Sequence, residues 1–159
     1  MSIEKGLPDP AFKINASLNR QVFKSGDDVI LKILTTKDCY LTIFVVTEKK
    51  QVYIILPNRY NKNNLVRKGD EFIYPSERDI ARGLNLKAGL IPGTIVSKEF
   101  IRIIATKHPI DFKPELFKEG VGIGVFLKET GSLGELLKEL ITIPANERVD
   151  SFLPYEIVK

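Results

Sequence analysis

The sequence predicts a mainly β domain, either a β-sandwich or a partly closed barrel of about seven or eight short strands, with one C-terminal helix at 132–141. Three observations predict this fold class. Short runs rich in Val, Ile, Tyr, Phe and Thr recur along the chain, and these side chains suit a pleated surface. Turn-forming residues separate the runs. A stretch near the C-terminus instead repeats leucine at helical spacing.

The stretch Asp38–Asn58 predicts a central β-hairpin. Residues 39–46 are apolar on both alternating faces, so we expect both faces of this strand to be covered. Residues 52–56 form the second strand, and a proline follows it. A buried helix is the competing interpretation, but runs this short and β-branched favour strands. The break at 48–50 lacks an Asn-Gly or Asp-Gly pair, so we expect a connection longer than two residues.

The part of the chain before this hairpin predicts an arm and two further strands. Residues 1–11 have little periodicity and predict a flexible arm, which leaves 12–159 as a single β-rich domain. Residues 12–18 alternate apolar and polar side chains, as expected of an edge strand. A turn follows, in which Gly26 can adopt positive φ. Residues 29–36 predict the next strand, with one apolar face.

After the central hairpin the sequence turns polar. Residues 59–64 predict a loop by composition. The apolar runs 65–66 and 72–74 flank a turn at Gly69, and we interpret them as a second hairpin. Residues 77–93 carry scattered apolar side chains that fit either a short helical turn or an irregular flap.

The next strand is 98–106, and it must end before Pro109. The residue before a proline avoids helical backbone, and the proline donates nothing to a strand ladder. We interpret 112–118 as one short helical turn. Residues 121–127 alternate apolar residues with glycine and predict a strand or a buried loop.

The clearest helix is predicted over 132–141. Ser132 and Glu135 have the spacing of a capping box, which satisfies free amide groups at a helix start. Four leucines then share one helical face: Leu133, Leu136, Leu137 and Leu140. Residues 152–158 predict a final strand, in which Pro154 requires an edge or a bulge.

Composition and charge argue against several classes of protein. The 159 residues suffice for one domain with a sizeable core. The net charge of +4 is modest and spread along the chain, so we expect no nucleic-acid partner. A single cysteine excludes an internal disulfide and a cysteine-based metal cluster. No apolar run approaches the roughly 20 residues of a membrane helix, so we expect no transmembrane segment.

The sequence as written starts without an apolar segment after a basic residue, so no signal peptide is predicted in it. If a signal was removed, the periplasm or cell envelope is the expected location; otherwise the cytoplasm is. The sequence predicts no particular oligomeric state.

Residues capable of catalysis or metal binding are sparse, and we predict no catalytic residue, cofactor or metal. Cys39 and His108 are the single thiol and imidazole, and we expect a buried inert thiol and a surface imidazole. Neither Asp27–Asp28 nor Asp70–Glu71 offers the spaced oxygen ligands that calcium needs. The glycines of Gly120–Gly124 lack the lysine-serine ending of a phosphate-binding loop, so we interpret them as strand glycines or a bulge.

A series of short motifs occurs between residues 23 and 109, each at a turn or at the start or end of a strand. The motifs are Gly26-Asp27, Asp38-Cys39-Tyr40-Leu41, Leu56-Pro57-Asn58, Val66-Arg67-Lys68-Gly69-Asp70, Ile73-Tyr74-Pro75 and Glu99–Thr106. This series resembles domain-of-unknown-function family four-three-eight-four. The turn at 48–50 departs from the Asp-Gly that the family usually has there, which puts the geometry of that turn in question.

The resemblance implies a bacterial domain, of a kind appended to serine/threonine kinases or caspase-like peptidases or found on exported lipoproteins. It supplies no catalytic residues. We therefore predict a non-catalytic accessory or interaction domain, not an enzyme, whose partner is another protein. Such a role requires an exposed sheet edge or an apolar surface patch.

The alternative is a small-molecule or glycan-binding module of the cell envelope, with a hydrolase as the less favoured form of this alternative. Its site would lie between the loop 59–64 and the segment 77–93, in a concave pocket lined by tyrosines and converging polar groups. The candidate interaction residues share positions near strand ends and hairpin tips: Tyr53, Asn58, Arg59, Tyr60, Asn61, Arg67 and Lys68.

Overall fold

The computed structural model describes residues 7–57, 63–110, 138, 140 and 142–159, and the backbone of two strands between 111 and 137. The strands are β1 (Ile14–Leu18), β2 (Val22–Lys24), β3 (Leu31–Thr35), β4 (Cys39–Val46), β5 (Val52–Leu56), β6 (Leu65–Val66), β7 (Phe72–Tyr74), β8 (Val96–Thr106), β9 (Phe117–Glu119), β10 (Val125–Leu127) and β11 (Arg148–Val158). A helix, α1, spans Glu77–Ala81, and a 3₁₀ turn spans Ala145–Glu147.

These strands form two sheets. The small sheet has the order β1-β3-β7. The large sheet has the order β2-β11-β8-β4-β5-β10-β9, with β6 paired to β4 beside this path. The chain is therefore mainly β, as predicted. Neither sheet closes on itself over the described residues, so the barrel alternative is wrong.

The small sheet confirms the predicted edge strand. β1 pairs on one side with β3 in antiparallel register, with Ile14 opposite Thr35. The turn before β3 contains Gly26 at φ 97°, the left-handed conformation that a glycine tolerates best. No strand was predicted at β2, which pairs in parallel with the end of β11. Three residues are too few to show a period, so the pairing itself defines this strand.

The central hairpin is confirmed, since β4 lies between β8 and β5 and its side chains are almost all buried. The connection is longer than two residues, as predicted. The Lys50 N–H donates to the Thr47 carbonyl at 2.8 Å, and the Thr47 N–H donates to the Gln51 carbonyl at 2.9 Å. Lys50 has φ 62°, a left-handed conformation more often taken by glycine.

The predicted second hairpin is wrong, because its two strands belong to different sheets. β6 pairs with β4, whereas β7 pairs with β3. Between them the chain crosses from one sheet to the other, and Gly69 (φ 79°) donates its N–H to the Thr35 carbonyl at 3.1 Å. Two apolar runs around a glycine look the same in sequence whether or not they pair with each other.

Two clusters of buried apolar side chains cover the two faces of the large sheet. The inner cluster joins both sheets and includes Leu31, Ile33, Leu41, Ile43, Tyr74, Ile101 and Ile103. The outer cluster lies on the opposite face and includes Phe44, Val46, Val52, Ile54, Ile104 and Leu140. Both faces of β4 are therefore covered, as its composition predicted.

The C-terminal part differs in several places from its prediction. Phe117 and Lys118 are in a strand, not in a helical turn, and the rest of 112–118 lies outside the described residues. A strand is confirmed at β10. Most of the predicted helix 132–141 also lies outside the described residues, although 138 and 140 are helical. β11 is longer than predicted. Pro154 lies in a part of β11 that pairs with β8 on one side and not with β2 on the other, so it occupies an edge position, as predicted.

At the N-terminus the described residues begin at 7, within the predicted arm. The Asp9 carboxylate contacts Lys37 Nζ at 3.0 Å and Lys107 Nζ at 2.8 Å. The flexibility of residues 1–11 and the single-domain assignment stay predictions. In the part of the chain that the structure describes, no helix has the length and apolar character needed to cross a membrane.

Candidate functional site

A cavity of about 540 Å³ opens between the tip of the β4–β5 hairpin and the segment 84–92. Apolar side chains form much of its wall, among them Val45, Ile55, Leu86, Leu90 and Ile101. Polar groups also line it, including Gln51, Tyr53, Glu99 and Tyr155. A largely apolar wall with a few polar groups, in a volume between roughly 300 and 1,000 Å³, is typical of small-ligand sites.

The segment over the cavity starts at α1, which has defined ends. Ser76 Oγ accepts from the Asp79 N–H at 3.1 Å, and the Asp79 carboxylate accepts from the Ser76 N–H at 3.0 Å, which is a capping box. At the other end Gly83 (φ 89°) and Leu84 donate to the last helical carbonyls. This Schellman-type ending directs the chain back across the inner face of the large sheet.

Backbone hydrogen bonds then fix the segment 84–92 to the turn before β3. The Val29 N–H donates to the Leu86 carbonyl at 2.9 Å. Ala88 makes two bonds, accepting from the Gly26 N–H at 2.7 Å and donating to the Asp27 carbonyl at 2.9 Å. The cavity therefore has one wall in a regular sheet and another in an irregular segment held by main-chain bonds. The sequence predicted a helical turn or a flap here, and both are present.

The strongest polar feature of the cavity is a pair formed by Glu99 on β8 and Tyr155 on β11. The two residues are direct cross-strand partners. The Tyr155 hydroxyl donates to Glu99 Oε1 at 2.8 Å. Tyr155 is only 7% exposed, and Phe23 meets its ring edge-on with centroids 5.5 Å apart. Packing thus holds the tyrosine in the orientation that presents its hydroxyl to the carboxylate.

Burial controls the protonation of this pair. Burial raises the pKa of Glu99, the hydrogen bond from Tyr155 opposes that rise, and the negative charge of Glu48 adds to it. Burial is also the largest cause of the raised pKa of Tyr155, with Glu99 contributing in the same direction. Among the ion pairs of the described residues, none includes Glu99.

Tyr53 supplies a second hydroxyl near the rim of the cavity. It donates to Gln51 Oε1 at 3.1 Å. Burial raises the pKa of Tyr53, and the nearby Glu99 carboxylate adds to the rise. The hairpin therefore contributes an ordered polar pair opposite the irregular segment.

Among the described members of the sequence-based candidate set, Tyr53 lines this cavity. Four members of that set lie outside the described residues: Asn58, Arg59, Tyr60 and Asn61. Their role in an interaction surface stays a prediction.

The remaining candidates, Arg67 and Lys68, lie around Asp38 and do not line the cavity. The Lys68 N–H donates to Asp38 Oδ1 at 2.9 Å, and Arg67 Nη1 lies 3.2 Å from Asp38 Oδ2. The Lys68 amide, followed by the Arg67 guanidinium, lowers the pKa of Asp38. These contacts fix the crossing between the two sheets, which is a structural role. The part of Arg67 and Lys68 in an interaction surface stays a prediction.

The sequence predicted a pocket between the loop 59–64 and the segment 77–93. A smaller cavity of about 360 Å³ lies in that region, lined by Asn63, Tyr74, Ser76 and Asp79 among others. The cavity of about 540 Å³ uses the later part of the same segment. The other wall of this cavity is the tip of the β4–β5 hairpin. Asn63 and Asn64, the described residues of the loop 59–64, do not line the cavity.

The single thiol and the single imidazole lie where the sequence predicted. Cys39 is fully buried, and burial raises the pKa of its thiol. The His108 side chain is 77% exposed and lies 3.4 Å from Glu147. Within the described residues, no three metal-binding side chains of His, Cys, Asp or Glu gather at one place. The stretch Gly120–Gly124 lies outside the described residues.

Glu99 and Tyr155 were not predicted from the sequence. A signal for Glu99 was present, because it falls on the same alternating face as Ile101 and Ile103, which are buried. A carboxylate on the apolar face of a strand is uncommon and marks a candidate site. No local signal indicates Tyr155, since the pairing of β11 with β8 brings it to Glu99.

Comparison with known protein families gives a match. The family model described as Domain of unknown function (DUF4384) matches residues 22–109, which is more than half of the chain. The match confirms the resemblance that the motifs indicated. No curated protein and no solved structure matches the chain.

Proposed function

This chain belongs to the DUF4384 family, and we propose that it is a non-catalytic bacterial accessory module that binds a small ligand in the cavity beneath the segment 84–92. The observation that carries the proposal is the cavity itself, with apolar walls around the Glu99–Tyr155 pair. The two sheets share the inner cluster, which supports a sandwich-like arrangement whose open side contains the cavity.

The non-catalytic part of the proposal follows from the groups that surround the cavity. Glu99 and Tyr155 are hydrogen-bonded to each other, and Tyr53 is bonded to Gln51. The described lining contains no cysteine, histidine or serine that could act as a nucleophile with a base. These groups can orient a ligand, which suits binding better than bond cleavage.

A cavity-filling variant tests the proposal. Gly89 lines the cavity, a Cβ added to it would meet no atom within 4 Å, and its φ is one that other residues adopt freely. Gly89→Phe should therefore add a ring at the lining of the cavity without straining the backbone. Arg78→Phe, which adds the same ring on the exposed face of α1, is the matched control.

The measurement is a fragment screen followed by amide chemical shifts in two-dimensional NMR. We expect fragments to shift amides of β5, the start of β8 and the segment 84–92 in the wild type and in Arg78→Phe, but not in Gly89→Phe. If no fragment produces shifts confined to these elements, or if Gly89→Phe binds as well as wild type, the proposed function is wrong.

A second candidate function is binding of a partner protein on the outer face of the large sheet, and exposed aromatic side chains favour it. Phe152 is 57% exposed, and its ring lies 4.6 Å from that of Phe100. Exposed apolar side chains in contact often mark interaction sites. A partner retained by wild type and by Leu34→Ser, but lost with Phe152→Ser, would support this candidate.

A further inference from the structure

We propose that the cavity ligand carries a protonated amine on an apolar body, and that Glu99 is the anion that pairs with the amine. The inference rests on the proposed binding function and specifies its ligand class. It starts from the position of Glu99 on the inner face of β8, where it lines the cavity beside Ile101 and Tyr155.

Glu99 can accept more hydrogen bonds than it receives from the described residues. A carboxylate offers about four acceptor positions on its two oxygens. Within the described residues Glu99 receives one hydrogen bond, from Tyr155 to Oε1. A half-buried carboxylate normally has a cation beside it, because the charge is otherwise poorly solvated. A ligand amine would supply both the missing charge and further donors.

The other charges at the cavity do not take this role. Lys87 Nζ is already paired with Asp28 Oδ1, at 2.6 Å. Lys49 is exposed at the hairpin turn and forms no ion pair with the described residues. Glu48, its neighbour, acts on Glu99 with the same sign and adds to the negative potential that an amine would meet.

The rest of the lining fits an apolar body. Val45, Ile55, Leu86 and Leu90 line the same cavity as the carboxylate without offering acceptors from their side chains. An amine with a cyclic or branched hydrocarbon group would place its charge at Glu99 and bury its hydrocarbon against these residues. An anionic ligand would be repelled by the same carboxylate.

Three probes with one hydrocarbon body test the inference: cyclohexylmethylamine, cyclohexylmethanol and cyclohexanecarboxylate at neutral pH. We expect the amine to bind the wild type roughly tenfold more tightly than the alcohol, as one charge-assisted hydrogen bond allows. The carboxylate should bind most weakly. Dissociation constants come from NMR titration of the cavity amides.

The variant Glu99→Gln keeps the shape of the side chain and an acceptor for Tyr155 but removes the charge. We expect it to bind the amine no more tightly than the alcohol. Glu156→Gln, on the neighbouring position of β11, removes the same charge outside this cavity lining and should bind as wild type does. Melting curves confirm that each variant is folded.

The outcomes separate this inference from the proposed function. If the alcohol or the carboxylate binds the cavity as tightly as the amine, or Glu99→Gln leaves amine binding unchanged, the amine inference is wrong while the cavity remains a binding site. If none of the probes or fragments shifts the cavity amides, the proposed function fails as well.

Discussion

Two carboxylates near the two ends of β8 have contrasting surroundings: one is paired with cations, and the other, within the described part of the chain, is not. Beyond its C-terminal end, Asp9 lies between two lysines, and its side chain is 10% exposed. Near its N-terminal end, Glu99 faces a tyrosine and no paired cation among the described residues. The lysine contacts, led by Lys107, hold the pKa of Asp9 well below its usual range, whereas burial raises the pKa of Glu99.

The difference indicates what each region contributes. A carboxylate whose pKa is lowered in the folded state stabilises the fold at neutral pH, and one whose pKa is raised destabilises it. The region around Asp9 therefore fastens the N-terminal segment to the large sheet. The region around Glu99 keeps a charge that folding alone does not need, which is typical of a group retained for binding.

The largest expected effect comes from removing the hydrogen bond to Glu99. In Tyr155→Phe the half-buried Glu99 carboxylate loses its hydrogen-bond donor, which should cost about 1–3 kcal/mol in the free energy of unfolding because the acceptor is charged. The measurement is urea denaturation at pH 7. Tyr40→Phe is the control, because the Tyr40 hydroxyl bonds to none of the described residues. If Tyr155→Phe lowers the free energy of unfolding no more than the control does, the Glu99–Tyr155 hydrogen bond does not stabilise the fold.

The next effect concerns the other end of β8. Asp9→Asn removes the charge between Lys37 and Lys107 and should lower the denaturation midpoint at pH 7. Because the folded-state pKa is lowered, the stabilisation is present above the ordinary value of 3.8 and is lost as the pH falls below it. Wild type and Asp9→Asn should therefore converge in acid.

The control for Asp9→Asn is Glu71→Gln, which removes one partner of an ion pair with Lys32 whose side chains are both about half exposed. Exposed pairs contribute little, so this variant should remain close to wild type. Equal midpoints for Asp9→Asn and Glu71→Gln at pH 7 would contradict the anchoring role of Asp9.

Glu99→Gln should have a smaller effect of opposite sign. The folded-state pKa of Glu99 is raised above its ordinary value of 4.5, so the cost of its charge is fully present above the folded pKa and disappears below the unfolded one. The variant should melt above wild type at pH 7, and the gap should close as the pH falls toward 4.5. Glu156→Gln should show no such gap. A lower melting temperature for Glu99→Gln at pH 7 would mean that the charge stabilises the fold.

Sequence alone predicted the parts of the fold whose pattern is local. The hairpin of β4 and β5 was predictable because the short, β-branched apolar runs at 39–46 and 52–56 suit strands better than a helix. The pairing of β6 and β7 was not, because the choice of partner depends on which sheet each strand reaches. β2 was missed for the same reason, since its neighbour β11 lies at the other end of the chain.

The same distinction applies to the candidate site. The segment 77–93 was recognised as irregular from its lack of period, and Tyr53 from its residue type and position. Glu99 could have been identified from its place on an apolar face. Its partnership with Tyr155 could not, because the two residues lie 56 positions apart in the chain and meet only through the antiparallel register of β8 and β11.

The smallest expected effect lies in the turn between β4 and β5, at the edge of the cavity. It tests whether backbone strain in this turn lowers the stability of the fold, in addition to the charge of Glu99. Lys50 has φ 62°, a conformation that costs most residues about 1–2 kcal/mol but costs glycine little. Glycine also gains freedom in the unfolded chain, so Lys50→Gly should stabilise the protein by less than about 1 kcal/mol. Lys49→Gly, at a position without positive φ, should instead destabilise it by about 0.5–1 kcal/mol. Paired urea denaturation curves distinguish the two signs. If both variants are destabilised alike, the backbone at Lys50 is not strained. The charge of Glu99 would then remain the feature of the cavity region that we expect to lower the stability of the fold.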